Sequence, residues 1–312
     1  MTIGDIIKKE REKLRMTQKE LSEGICSEKY IYLIEKNERN PSAFILKDLN
    51  ERLGINLFDY YDYKDYENNE LIVEHREKFD HYTENSDIFS LKEEALKAEK
   101  LKEFQVEPLL YDVQMIHLSY KINVEGKVKE GIEGIKRILT KEELVIETNT
   151  LINFYVLLST AYQIEGEWEK ARTAIEKSYP MIKNKTRYNR YNTTVISAFI
   201  SYAALLFNQK DYERLLDIAH ELKRLHNKYS RHNRVYYVHF YLAYAYFEND
   251  EVEKARESYM EGIHSALLFK NIIDLKVILQ FEGIEELAVD LDIHKRYFQQ
   301  IQEVVDQAEK DQ

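Results

Sequence analysis

The second part of this chain repeats itself. A polar or glycine-containing break, closed by an apolar or aromatic residue, recurs as "NSDI" at Ile88, "EGKV" at Val128, "EGEW" at Trp168, "QKDY" at Tyr212, "NDEV" at Val252 and "DLDI" at Ile293. The spacings are 40, 40, 44, 40 and 41 residues. A period held that closely implies stacked units of one size, each burying its apolar face on a neighbour of the same shape. Three positions beyond the break comes a small or apolar residue: Leu91, Gly131, Ala171, Leu215 and Ala255. The sixth unit has Arg296 there, as a degenerate terminal unit would. With 9 Gly and 3 Pro in 312 residues, the chain has few helix breakers. Each unit is therefore read as two amphipathic helices of roughly 14–18 residues, and the fold class as all-α.

The clearest units are "FYVLLSTAYQIEGEWEKARTAIEKSY" and "HFYLAYAYFENDEVEKARESYMEGI". Both resemble tetratricopeptide repeats in elongated form. An aromatic (Tyr162, Tyr246) precedes the turn, and an alanine (Ala171, Ala255) follows it where two helices cross closely. The match is best over residues 149–265. The resemblance implies a right-handed superhelical array whose concave face, lined by the first helix of each pair, holds an extended peptide or a partner helix. Counting back from the turns gives the candidate lining: His117 and Tyr120; Asn153, Val156, Thr160 and Gln163; Ile200, Ala204 and Asn208; Tyr237, Phe240, Tyr241, Tyr244 and Phe247. Asparagine can pair with a peptide backbone as both donor and acceptor, and tyrosine offers apolar area with a polar tip. Packing between helices is the competing role for each aromatic.

Residues 1–57 follow another rhythm. Ile3, Ile6, Ile7 and Leu14 fall on one face of a helix running to about Arg15. Thr17 and Glu20 form a capping box that starts a short second helix burying Leu21 and Ile25. Ser27 caps a third helix, Glu28 to Lys36, with Ile31 and Ile34 inward, and Asn37 can stop it in the left-handed conformation. Ser42 opens a fourth through Phe44, Leu46, Leu49 and Leu53, closed by Gly54. Two short helices joined by a tight turn and braced on both sides make a helix-turn-helix.

Over residues 3–58 the chain resembles the lambda-repressor-type helix-turn-helix family, through "TQKELS", Ile31, the "IE" of Ile34-Glu35 and "ERNPS". In that family the third helix enters the major groove of double-stranded DNA. Carried over by position, Gln18 contacts a phosphate. Ser27, Glu28, Lys29, Tyr30 and Tyr32 face the groove, and Lys36 and Arg39 lie near the backbone. Tyr32 stands where the family commonly has a small serine, Leu33 where it has a polar residue, and Asn37 where it has glycine. The first two departures leave open a head that serves only for dimerisation.

Charge divides the chain the same way. Of a net −11, residues 1–56 hold 11 Lys/Arg against 10 Asp/Glu, so the other 256 residues carry −12 and nucleic-acid contact is confined to one end. A head at +1 implies modest phosphate-driven affinity per copy, hence two copies. No HExxH, no Cys/His zinc spacing, no GxxxxGK[ST] and no GxGxxG occurs, so neither a catalytic site, a metal nor a cofactor is expected. No run of 18 apolar residues is present, the opening "MTIGDIIKKEREKLRM" lacks the apolar core of a signal peptide, and Cys26 is the single cysteine. A cytoplasmic location with no membrane contact is the expectation.

A helix-turn-helix followed by five or six elongated repeats, with the "GICS" run inside "LSEGICSEKYI", resembles the RRNPP-type peptide-pheromone-responsive regulators of Gram-positive bacteria. The resemblance implies a homodimeric transcriptional regulator for quorum sensing. Its repeats bind a short re-imported signalling peptide on the concave face and alter DNA binding. The expected domains are a head at 1–57, a linker at 58–70 ("FDYYDYKDYENNE") and a sensor and dimerisation domain at 71–312. The alternative is a helix-turn-helix scaffold whose repeats bind a protein partner.

Overall fold

The computed structural model describes residues 2–187, 193–229, 234–269, 275–276, 284–291 and 296–310. Among the described residues there are helices and turns but no strand. The chain divides into two compact units, one of Met1–Phe79 with Glu94–Val106, the other of Asp80–Glu93 with Glu107–Gln312.

The first unit begins with α1 (Ile3–Lys13), α2 (Gln18–Ser22), α3 (Glu28–Glu35) and α4 (Ala43–Leu53). Local chemistry sets their ends. At α2 the Glu20 amide donates to the Thr17 hydroxyl at 3.2 Å, and the Thr17 amide donates to the Glu20 carboxylate at 2.7 Å. These bonds from Thr17 hold the Glu20 carboxyl below its usual range. Ser27 accepts from the Tyr30 amide at 3.2 Å, while Asn37 and Gly54 turn the chain at φ 60° and 68°. Ile3, Ile6, Ile7, Leu21, Ile31, Ile34, Leu46, Leu49 and Leu53 form one buried core.

Two expected core positions are not in it. Leu14 is 50% exposed, because α1 stops at Lys13 and Leu14 is its C-cap. Phe44 is 84% exposed. Leu46, Leu49 and Leu53 share a face at i, i+3, i+7, and a residue two places before Leu46 points away from it. Ile25 is half-buried at the edge of the core.

The segment read as a linker carries α5 (Leu57–Asp62), with Leu57 fully buried in the head core and Tyr60 and Tyr61 packed against it. It runs into α6 (Asn69–Glu84), where Arg76 donates to the Tyr63 hydroxyl at 2.5 Å. Beyond α7 (Ile88–Ala98), a 3-10 turn at Lys102–Gln105 buries Phe104, whose ring meets His75 and Phe79 edge-on at 5.9 and 6.1 Å. The first unit thus continues past the expected boundary because apolar and aromatic residues of 57–79 and 94–106 have a core to join.

The second unit is the array: α8 (Leu110–Asn123), α9 (Val128–Leu139), α10 (Thr148–Ile164), α11 (Trp168–Arg187), α12 (Thr193–Asn208), α13 (Tyr212–Tyr229), α14 (Val235–Glu248) and α15 (Val252–Phe269), then α16 (Ile284–Asp290) and α17 (Arg296–Lys310). α8, α10, α12 and α14 touch in succession, and α9, α11, α13 and α15 each pack on the helix before them. The first helices of the pairs therefore form one continuous layer.

The sequence breaks are the joints between paired helices. The residue two places before each marker has a left-handed backbone: Ser86 (φ 57°), Gly126 (66°), Gly166 (72°), Lys210 (56°) and Asp250 (60°). After Gly166 the Glu167 amide donates to the Tyr162 carbonyl at 2.8 Å, and the Gly166 amide to the Gln163 carbonyl at 3.0 Å. The same pair of bonds closes the turns at Ser86, Lys210 and Asp250, satisfying carbonyls that the helix end leaves open. Leu91, Gly131, Ala171, Leu215 and Ala255 are all buried. At Gly131 the approach is so close that a Cβ would stand 2.3 Å from Ile122 Cγ1. The sixth break, at Ile293, lies outside the described residues.

Candidate functional sites

On the head, α3 and its flanks present Ser27, Glu28, Lys29, Tyr32, Lys36 and Arg39 to solvent. Tyr30 is half-buried, its hydroxyl donating to the Asn40 carbonyl at 3.2 Å. Lys29, Lys36 and Arg39 appear in no ion pair among the described residues, so their charges are available to a phosphate backbone. Tyr32, 45% exposed, adds a large phenol to the same surface.

Gln18 sits differently from the others. It is half-buried, and its Nε2 donates to Glu35 Oε2 at 2.8 Å. Glu35 in turn accepts from Arg11 Nε at 2.6 Å and from its Nη2 at 2.9 Å, while Arg11 Nη1 donates to the Met16 carbonyl at 2.8 Å. The Glu35 carboxylate pushes the Arg11 guanidinium pKa up. An amide nitrogen carries two hydrogens, so one remains for a phosphate while Glu35 holds the group in place. Arg52 completes the frame by donating to the carbonyls of Glu20 and Leu21 at 3.1 Å each, tying down the end of the five-residue α2.

Arg11 and Arg52 are not among the residues that the motifs single out. A signal for Arg11 existed: it follows Ile3 and Ile7 at four-residue steps on the buried stripe of α1, and a cation there needs a buried anion. Glu35, next to buried Ile34, supplies it. Nothing in the sequence marked Arg52, whose partners are backbone carbonyls.

In the array, the expected lining falls into two groups. Asn153, Val156, Thr160 and Gln163 on α10, Ile200 and Ala204 on α12, and Tyr237 and Phe247 on α14 are half-buried, and Asn208 is exposed. Thr160 spends its hydroxyl on the Val156 carbonyl at 3.1 Å. On α8, His117 pairs with Lys92, and Tyr120 meets Phe89 edge-on at 5.9 Å. Phe240, Tyr241 and Tyr244, by contrast, are buried at 1, 4 and 8% exposure. α14 is apolar on all sides and packs against α12, α13 and α15, so its aromatics fill the spaces between helices. Phe240 packs on Tyr259 at 5.7 Å, Tyr244 on Phe207 at 4.9 Å, and burial pushes the Tyr241 phenol up. No cluster of His, Cys, Asp and Glu able to hold a metal occurs among the described residues, nor a helix long and apolar enough to cross a membrane.

Fold and surface together define a helix-turn-helix head followed by an all-helical array of paired helices. Comparison with known proteins agrees. A helix-turn-helix family matches residues 7–60. PlcR of Bacillus thuringiensis, solved in complex with the peptide PapR7 and DNA, superposes with a TM-score of 0.64 at 17% identity, covering 86% of this chain and 96% of PlcR. A protein of Listeria monocytogenes EGD-e gives 0.50 at 18% identity, covering 94% and 99% of the two chains. ComR from S. thermophilus, solved with DNA and its signalling peptide ComS, gives 0.48 at 18% identity, covering 93% and 98%. The likeness to PlcR and to the Listeria protein establishes the fold. No curated protein sequence matches the chain.

Proposed function

We propose that this protein is a cytoplasmic transcriptional regulator that binds DNA as a homodimer and changes that binding when a short signalling peptide occupies the inner layer of its array. One observation carries the reading. A helix-turn-helix at 7–60, with unpaired Lys29, Lys36 and Arg39 on its surface, is joined to a body with the fold of PlcR, a protein that takes both peptide and DNA. Its work is binding, not catalysis. Lys29 and Tyr32 meet the major groove, Lys36 and Arg39 the backbone, and Gln18 a phosphate. Asn153, Thr160, Gln163, Asn208 and Tyr237 form the peptide-facing set. Phe240, Tyr241 and Tyr244 act from beneath it by fixing how α14 packs.

The test is capture of genomic DNA fragments by the purified protein across a salt series. The expected result is one enriched site with two-fold symmetry, with affinity falling by a power of the salt concentration of about 0.9 per phosphate neutralised. Replacing Lys29 and Arg39 with alanine should remove the enrichment and flatten the slope. Enrichment unchanged in that double variant would overturn the assignment of α3.

A further inference from the structure

We infer that the array has a second binding site, on its outer side between α9 and α11, built for a small aromatic anion carrying a phosphate or carboxylate head. A cavity of about 280 Å³ lies there. Its floor is Tyr155, Leu158 and Tyr162 of α10, a stripe at i, i+3, i+7. Its walls bring in three lysines, Lys136 from α9 and Lys170 and Lys177 from α11. Lys136 and Lys170 stand 5.4 and 5.7 Å from the centre of the Tyr162 ring, and Lys177 stands 5.9 Å from that of Tyr155.

The electrostatics are unusual for this chain. At a net charge of −11 a lysine has many carboxylates to choose from. No carboxylate lines this cavity. Lys170 reaches Glu167 outside it, while Lys136 and Lys177 make no ion pair among the described residues and rest only on aromatic rings. Two ammonium groups at one opening without a carboxylate partner, beside a third whose partner lies outside it, favour an anion there. Tyrosine rings and a leucine beneath favour an apolar, planar body. The volume falls just below the range of drug-sized sites, about 300–1,000 Å³, which suits a single ring with one charged head.

The site is separate from the proposed peptide layer. At 3.6 residues per turn, Tyr155, Leu158 and Tyr162 lie on the side of α10 roughly opposite Asn153 and Thr160, with Gln163 about a quarter-turn round from Tyr155 and Tyr162. A ligand here would bridge two successive repeats through α9 and α11, whether or not the inner layer takes a peptide.

The test is ligand-observed NMR on the full chain with phenyl phosphate and benzoate as probes, and phenol and inorganic phosphate as controls. The expected result is binding of at least one aryl anion, about tenfold tighter than either control. It should weaken about tenfold in K136M/K177M, which keeps the side-chain stems but removes two charges. Both lysines are exposed, so the variant should melt like the parent; K177Q alone provides a milder check. Binding of neither aryl anion, inorganic phosphate binding as tightly as phenyl phosphate, or undiminished affinity in K136M/K177M would each overturn the site.

Discussion

Arg11 and Glu35 sit at 11 and 3% side-chain exposure, deep enough that neither charge is tolerable without the other. Removing one partner of a buried pair typically costs about 3–5 kcal/mol, whereas replacing both with apolar residues is often close to neutral. Glu35→Ala should therefore destabilise the first unit by about 3 kcal/mol, and the double change R11M/E35L should recover most of the loss. Hydrogen exchange at the amides of α1 and α3 measures it. A Glu35→Ala protein within about 1 kcal/mol of the parent would show that the pair is not what holds these helices. At this scale the sequence was legible wherever a side chain bonds to its own neighbourhood. Thr17, Ser27, Asn37 and Gly54 adopt the caps and turns that their chemistry suggests. It was less legible where the partner is far along the chain, as for Arg11 and Arg52, or where a helix end moves a residue off its stripe, as for Leu14.

The paired helices are joined by turns that share one backbone conformation but not one residue type. Gly166 reaches φ 72° with nothing within 4 Å of a Cβ position, so only backbone strain opposes a side chain there. Lys210 holds φ 56° despite its side chain. The left-handed conformation costs a non-glycine residue about 1–2 kcal/mol. Gly166→Ala should thus destabilise the array by about 1 kcal/mol and Lys210→Gly should stabilise it by a similar or smaller amount, read as opposite shifts in thermal midpoint. Shifts of the same sign would contradict the turn geometry. These breaks were visible in the sequence because a left-handed residue, a carbonyl five places before the next amide and a small or apolar buried residue must recur together. The fate of the tyrosines was not visible. A phenol suits a ligand-facing surface and a helix interface equally, and burial of Phe240, Tyr241 and Tyr244 follows from neighbours on α12, α13 and α15 that periodicity along α14 alone does not reveal.

For the whole molecule, the division of charge fits the proposed division between a DNA-reading head and a sensing body. A head with a near-neutral balance presents Lys29, Lys36 and Arg39 on α3 and its flank, and the acidic surplus lies in the rest of the chain. The stacking of α8, α10, α12 and α14 gives that body a continuous layer in which a ligand touching several repeats can bias their arrangement. A peptide changes DNA binding only to the extent that it prefers one arrangement, and couplings of this kind usually amount to about 5–150-fold. The most direct test is the affinity for the captured DNA site, with and without the peptide fraction of a culture of the source organism, for the parent and for N153A/N208A. The expected result is at least a fivefold change in affinity for the parent, abolished by protease treatment of the fraction and lost in the double variant. Equal affinity in the presence and absence of the fraction, at every concentration, would contradict the claim that the array is the sensor for the head.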